Sequence, residues 1–267
     1  MKKHRTRILI LFLLMARTCP PCFPQSGREF PQGRIVDLTY AFDEQTIFWP
    51  TEKGFVLENE SRGLTDKGYF YTANRFSSAE HGGTHIDAPI HFFKDRNTLE
   101  AIPIEQLIGK GTLIDVSVKC AADRDYQVQV NDFLNWERKH GTKLNGIILL
   151  RTGFGKFWPN RTKYLGTGEH GAQAVTKLHF PGLHPEAARW LITNRSVKAV
   201  GLDTASIDYG QSTHFQSHVT LFEKNIPALE NVANLDQLPE RDFTVIALPM
   251  KIKGGSGGPV RIVAVVQ

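Results

Sequence analysis

Six short apolar runs, spaced along the chain, constrain its fold more than any other feature. They are RIVDLTY (34–40), TLIDVSV (112–118), GIILLRTG (146–153), VKAVGLD (197–203), FTVIALPM (243–250) and VRIVAVV (260–266). Each is rich in Val, Ile and Leu and too short for a typical buried helix, so each reads as a strand. YFYTANRFSS (69–78) adds a looser alternation of aromatic and polar residues and reads as another. Helical patterns are fewer. NDFLNWERKH (131–140) starts at Asn131, a favourable N-cap, and HPEAARWLITN (184–194) carries Pro185 at a first helical position. FQSHVTLFEKN (215–225) is a third candidate. Strands and helices intermix, so the expected fold is an α/β domain built on a mixed sheet. No linker-like segment divides residues 30–267. Only three cysteines occur, so a hydrophobic core rather than a disulfide framework must hold the fold.

The amino-terminal 25 residues stand apart. A basic start, MKKHRTR, is followed by the apolar run ILILFLLMA and then by the proline-rich RTCPPCFPQSG. That layout predicts a secretory signal peptide over 1–25 and a mature domain over 26–267, because the apolar run is too short to span a bilayer. Cleavage removes five of the 32 basic residues (Lys2, Lys3, Arg5, Arg7, Arg17) and none of the 27 acidic ones. The mature chain is thus formally neutral, although the whole has a pI near 9.1. A basic surface for nucleic acid is not expected, and neither is a membrane partner once the signal is removed. Three sequons, at Asn59, Asn160 and Asn194, agree with a secreted glycoprotein. Cys19 and Cys22 form a CPPC pair at the signal junction, where a redox or metal role is not expected.

The chemistry concentrates in HGGTHIDAPIH (81–91). Gly82, Gly83 and β-branched Thr84 oppose a helix, so a tight turn leading into an extended segment is expected. There His85 and Asp87 project to one side, because strand side chains alternate with period two. His81 can fold back toward them, and Pro89 would end the strand and bring His91 across the site. Imidazole nitrogens and a carboxylate converging on one point are what Zn²⁺, Mn²⁺ or a similar ion requires. The stretch DTASID (203–208) has two readings: Asp203, Ser206 and Asp208 line a pocket or support the histidines, or they form a polar turn at a strand end. The glycine-rich GGSGGP (254–259) lacks the Lys-Ser/Thr of a phosphate loop and reads as a hairpin loop between two strands.

The histidine stretch resembles the signature of the cyclase-like metal-dependent hydrolases, a family that includes bacterial kynurenine formamidase and isatin hydrolase. FPGLHPEAARWL (180–191), GLDTASID (201–208), LLRTGF (149–154) and LPMKIKGGSGGPVRIVAV (248–265) resemble further family segments in the expected order. The resemblance implies a single domain with a mixed β-sheet or barrel-like core and flanking helices, of the swivelling β/β/α type. It also implies that His81, His85 and Asp87 are metal ligands and that His91 is a general acid/base. His218 and Glu230, twelve residues apart, match the pair that completes a second metal position, so one or two ions of Zn²⁺ or Mn²⁺ are expected. His140, His170, His179, His184 and His214 lack that pattern and read as surface or packing residues. Family members often carry a Trp-Pro-Gly-Asp-like segment beside the substrate. Here it is FWPTEKGF (48–55), in which Phe48 and Trp49 are candidate pocket walls while Thr51 and Glu52 depart from the pattern. The implied function is hydrolysis of a small amide, an aryl formamide or a cyclic amide. Lactone or ester hydrolysis at the same site, and a binding protein without turnover, are the alternatives. A small-molecule substrate and a homo-oligomer, dimer or tetramer, are the implied partners.

Overall fold

The computed structural model describes residues 32–267. The signal segment expected over 1–25 lies outside the described residues. Twelve strands occur, in chain order β1 (Arg34–Asp37), β2 (Val56–Leu64), β3 (Phe70–Ser77), β4 (His85–Asp87), β5 (Ile108–Asp115), β6 (Gln127–Val128), β7 (Asn145–Arg151), β8 (Gly182–Leu183), β9 (Ser196–Leu202), β10 (Ala228–Glu230), β11 (Phe243–Pro249) and β12 (Gly257–Val266). Six α-helices accompany them: α1 (Ser117–Ala122), α2 (Val130–His140), α3 (Arg161–Leu165), α4 (Ala172–Val175), α5 (Pro185–Asn194) and α6 (Gln216–Phe222). No helix among the described residues is long and apolar enough to cross a membrane.

The main sheet runs β12-β11-β5-β7-β9-β10-β4 and closes on itself, because β4 also pairs with β12. β5, β7, β9 and β10 are mutually parallel, and the remaining contacts of the ring are antiparallel. The result is a seven-stranded mixed barrel within a single α/β domain, as the resemblance implied. Ten-residue β12 makes closure possible. Its first residues, Gly257–Pro259, pair with β4, and its last, Val263–Val266, pair with β1 along the same edge.

Period-two alternation sorts the strand residues into two cores. Ile86, Leu113, Ile147, Leu149, Ala199, Leu229, Val245, Ala247, Val260, Ile262 and Ala264 come from all seven strands and fill the barrel interior. Their chain neighbours Ile114, Ile148, Leu150, Val200, Leu202 and Ala228 face outward. Residues of α2, α3, α5 and α6 cover them, including Phe133, Trp136, Tyr164, Leu191 and Phe222. His85, Asp87 and Glu230 flank Ile86 and Leu229, so they too face outward, toward α6.

Two expectations need correction. α2 begins at Val130, and the Asp132 carboxylate accepts from the Gln129 backbone N–H at 2.8 Å, so Asn131 lies inside the first turn instead of capping it. The glycine-rich stretch 254–259 is a connecting loop only as far as Ser256, because Gly257–Pro259 already belong to β12. β2 has no apolar alternation in the sequence and pairs with β3 as a hairpin that is exposed on both faces.

Candidate metal centre and active site

The turn at Gly82-Gly83 starts the site. Gly83 has φ +56°, and a Cβ there would meet the Phe42 ring at 2.5 Å; a Cβ on Gly82 would meet Phe48 at 2.0 Å. Only glycine satisfies the backbone and the crowding together. Asn231 locks the turn: its side-chain N–H donates to the Gly83 carbonyl at 2.7 Å. The Thr84 hydroxyl donates back to the Asn231 carbonyl at 2.7 Å. Asn231 follows Glu230 directly, so these bonds tie the histidine turn to the end of β10. Register does the rest, because His85 lies opposite Glu230 across the β4–β10 pair.

Three imidazoles and two carboxylates converge here. Nδ1 of His85 is 3.0 Å from the Gly83 carbonyl and donates to it, which turns Nε2 toward the two carboxylates. That Nε2 lies 3.1 Å from Asp87 Oδ1 and 3.5 Å from Glu230 Oε2, yet it is buried and makes no hydrogen bond. His218, from α6, repeats the arrangement. Its Nδ1 is held by Asp208 Oδ2 at 2.6 Å, and its Nε2 is 3.0 Å from Glu230 Oε1 and 3.2 Å from Asp87 Oδ2. His81 points Nδ1 at Asp87 Oδ1, 2.8 Å away. His91 stacks on His81 with ring centroids 3.7 Å apart and planes 16° from parallel. Ligand atoms of His81, Asp87 and His91 lie within 4.8 Å of one another, as do those of His85, Asp87 and Glu230, with Asp87 common to both groups.

The charges fit a cation. Burial opposes charge on His85 and His218, but the surrounding carboxylates outweigh it and both pKa values are raised, that of His218 well above the ordinary value. Burial opposes charge on Asp87 too, yet His81, His218 and His85 hold it well below the usual carboxylate range. Burial and the adjacent Asp87 charge raise Glu230. The two buried carboxylates thus favour positive charge on His85 and His218, and a divalent ion would supply that charge in place of their protons. The orphaned His85 Nε2 and the mixed nitrogen–oxygen donor set fit such an ion.

The cluster forms one wall of a cavity of about 430 Å³. Phe48, Trp49, Phe92 and Phe215 line the remainder, with Glu52 and Glu80 and no Lys or Arg among the lining residues. Trp49 meets Phe215 edge-on at 6.2 Å, and Phe92 lies 5.0 Å from Phe215. His91 lines the same cavity, and burial above all pulls its pKa down to about 4.

The structure therefore brings together His81, His85, Asp87, His91, His218 and Glu230, with Phe48 and Trp49 beside them. It divides the open reading of DTASID in three. Asp208 holds His218, Ser206 lines the cavity, and Asp203 turns away to accept from the Thr152 hydroxyl and the Thr152 and Gly153 amides. His140 and His179 pair with Glu240 and Asp125, and His184 caps α5; none lines the cavity. Sequence reasoning missed Glu80 and Ser256, both at the site. A glycine-flanked serine is the only signal for the second, and by composition it is indistinguishable from a loop residue.

Known proteins share this arrangement of chain. The sequence model of the Cyclase family, described as "Putative cyclase", matches residues 36–209. Among curated proteins, the chain is 31% identical over 208 residues to an isatin hydrolase of Roseibium aggregatum, covering 74% of this chain and 76% of that one. It is 26% identical over 234 residues to a kynurenine formamidase of Bacillus cereus, covering 85% and 95%. Among solved structures, isatin hydrolase A from Labrenzia aggregata bound to benzyl benzoate superposes with a TM-score of 0.78 at 33% identity, covering 87% of this chain and 93% of that one. A family match across more than half the chain, and a relative above 30% identity over about three quarters of both sequences, show that the protein belongs to the cyclase family whose histidine signature it carries.

Proposed function

We propose that the protein is a metal-dependent amidohydrolase that cleaves a C–N bond, other than a peptide bond, in a small aryl amide: an aryl formamide or a cyclic amide. One observation carries this reading. Three imidazoles and two carboxylates face one point on the wall of an aromatic cavity, with a further imidazole, His91, beside them. The names of the relatives, isatin hydrolase and kynurenine formamidase, support it. The absence of Lys and Arg from the cavity lining favours an uncharged substrate over a carboxylate.

His81, His85, Asp87, His218 and Glu230 would hold one or two divalent ions, Zn²⁺ or Mn²⁺. An ion held there would supply Lewis-acid chemistry, polarising the amide carbonyl and lowering the pKa of water. The chain's own residues then do three things. Trp49, Phe92 and Phe215 hold the aryl group by apolar and edge-on contact. His91, neutral because burial disfavours its cation, takes a proton from the attacking water. It returns that proton to the departing nitrogen, which leaves as an amine. Ester or lactone hydrolysis is the second reading, since a similar structure holds benzyl benzoate, an ester.

The test is the purified, metal-loaded protein assayed against aryl formamides, cyclic amides, lactones and aryl esters. Turnover of an amide is expected. A metal-bound protein that binds these compounds but hydrolyses none would instead be a binding protein of the same fold. His91→Ala should retain the metal and lose about 10²–10⁴-fold in rate on amides, and less on an ester with a phenol leaving group, which still draws on His91 as base but needs no proton on the group that leaves.

We also propose that the chain is exported and glycosylated. The signal layout of residues 1–25 and the exposure of Asn59, Asn160 and Asn194 support this. Expression in a secretory eukaryotic host should give a shortened glycoprotein in the medium, whereas an intact amino terminus on a cytoplasmic product would refute it. The expected dimer or tetramer also stands as a proposal. Half-exposed Leu57, Phe70, Tyr71 and Phe76 on the β2–β3 hairpin support it, because such a hairpin is marginal without a surface to pack on.

A further inference from the structure

We propose that Ser256 and Glu80 form a positioning pair that fixes which nitrogen of His81 faces the metal centre. The inference rests on the metal-site reading of His81 but not on any particular substrate. Ser256 is 175 residues from His81 in the chain, and its Oγ lies 2.9 Å from His81 Nε2. The same hydroxyl is 2.6 Å from Glu80 Oε2, which also accepts the Ser256 backbone N–H at 3.0 Å.

Donor accounting sets the direction of the chain. The Glu80 carboxylate only accepts, so the single Ser256 hydroxyl proton goes to it. Oγ is left with lone pairs toward His81 and must accept there. His81 therefore carries a proton on Nε2, which leaves Nδ1, 2.8 Å from Asp87 Oδ1, as the nitrogen that can offer a lone pair to an ion in place of its hydrogen bond to Asp87. Stacking on His91 sets the plane of the His81 ring but does not choose between its two flipped orientations. A flip would bring Cδ2 to Asp87 and Cε1 to Ser256, losing both contacts. The serine thus supplies the choice that stacking leaves open.

The flanking glycines are shaped around this contact. A Cβ on Gly257 would lie 2.5 Å from His81 Cε1, and one on Gly255 would lie 3.0 Å from Glu80 Oε1. Ser256 is held between Gly257, which has no room for a side chain, and Gly255, where one would crowd Glu80, at the point where β12 starts to pair with β4. The segment is therefore a buttress of the metal centre as well as a connection.

Outer partners of metal-bound histidines are worth about 10–100-fold in metal affinity, and that is the expected loss for Ser256→Ala. Affinity is measured for Zn²⁺ or Co²⁺ alone by competition with a chromophoric chelator, so no substrate is involved. The Co²⁺ absorption spectrum, which reports the ligand field, should change as well. Glu80→Gln should weaken binding less, because its amide oxygen can still accept from Ser256. Ser256→Thr restores the hydroxyl and should recover most of the lost affinity and the parent spectrum. Parent affinity and spectrum in Ser256→Ala would overturn the proposal. So would a lowered Tm accompanied by an affinity loss that Ser256→Thr does not recover, since that is the mark of a merely structural loop. Failure of every amide and ester as substrate would sink the functional reading and leave this result standing.

Discussion

Ile86 and Asp87 are adjacent in the chain and equally hidden from solvent, at 0% and 2% exposure, yet they serve opposite environments. Ile86 closes the apolar interior of the barrel, whereas Asp87 sits on its outer face among three imidazoles and a second carboxylate. β10 repeats the contrast with Leu229 inward and Glu230 outward. The difference teaches how such a site is held. Unbalanced buried charge is costly, and its ligands cannot stabilise the strands that carry them without a counter-ion. The inward residues of the same strands supply the packing, and the period-two geometry that seals the barrel also aims the candidate ligands.

Removing the shared candidate ligand should break this comparison most completely. Asp87→Ala takes away the carboxylate common to both ligand groups, so metal content should fall below stoichiometric and activity should drop to background. The barrel interior is untouched, and the circular dichroism spectrum should stay native. Elemental analysis that still finds full metal content would show that Asp87 is no ligand. Truncating the neighbour should do the reverse. Ile86→Ala opens a cavity in the barrel and should cost about 2–5 kcal/mol of unfolding free energy in a denaturant titration. Metal stoichiometry should be unchanged under native conditions; loss of metal without loss of stability would mean that the two faces are not separable. The smallest effect sharpens the comparison at its outer edge. Asp208 holds His218 Nδ1 from the α6 side and touches no other ligand. Asp208→Asn should weaken metal binding by about 10–100-fold, measured by chelator competition, with little change in Tm.

These contrasts also show where sequence reading stops. Six apolar runs were legible as strands because their Val, Ile and Leu side chains bury at least one face; β5, β7 and β9 bury both, whereas β1 leaves Ile35 and β11 leaves Leu248 in solvent. β2 was not legible, because VLENESRGL buries neither face and carries no alternation. β10 was hidden by brevity: three residues, Ala228–Glu230, hold no period to detect. The cap of α2 was misplaced because Asn131 is a good cap by type, while Asp132, at the third helical position, satisfies the preceding backbone N–H instead.

By itself the sequence determined the turn at Gly82-Gly83, the shared side of His85 and Asp87, and the residue types that could meet a divalent ion. Those follow from local sterics and from the two-residue period of a strand, which act over a few positions. Only the tertiary structure decided that β4 sits between β10 and β12, which places Glu230 opposite His85 and delivers Ser256 to His81. The partners are 145 and 175 residues apart, and what joins them is the closure of the barrel and the register of its pairs. Register is set by the summed burial of every inward side chain, so no short stretch of sequence contains it.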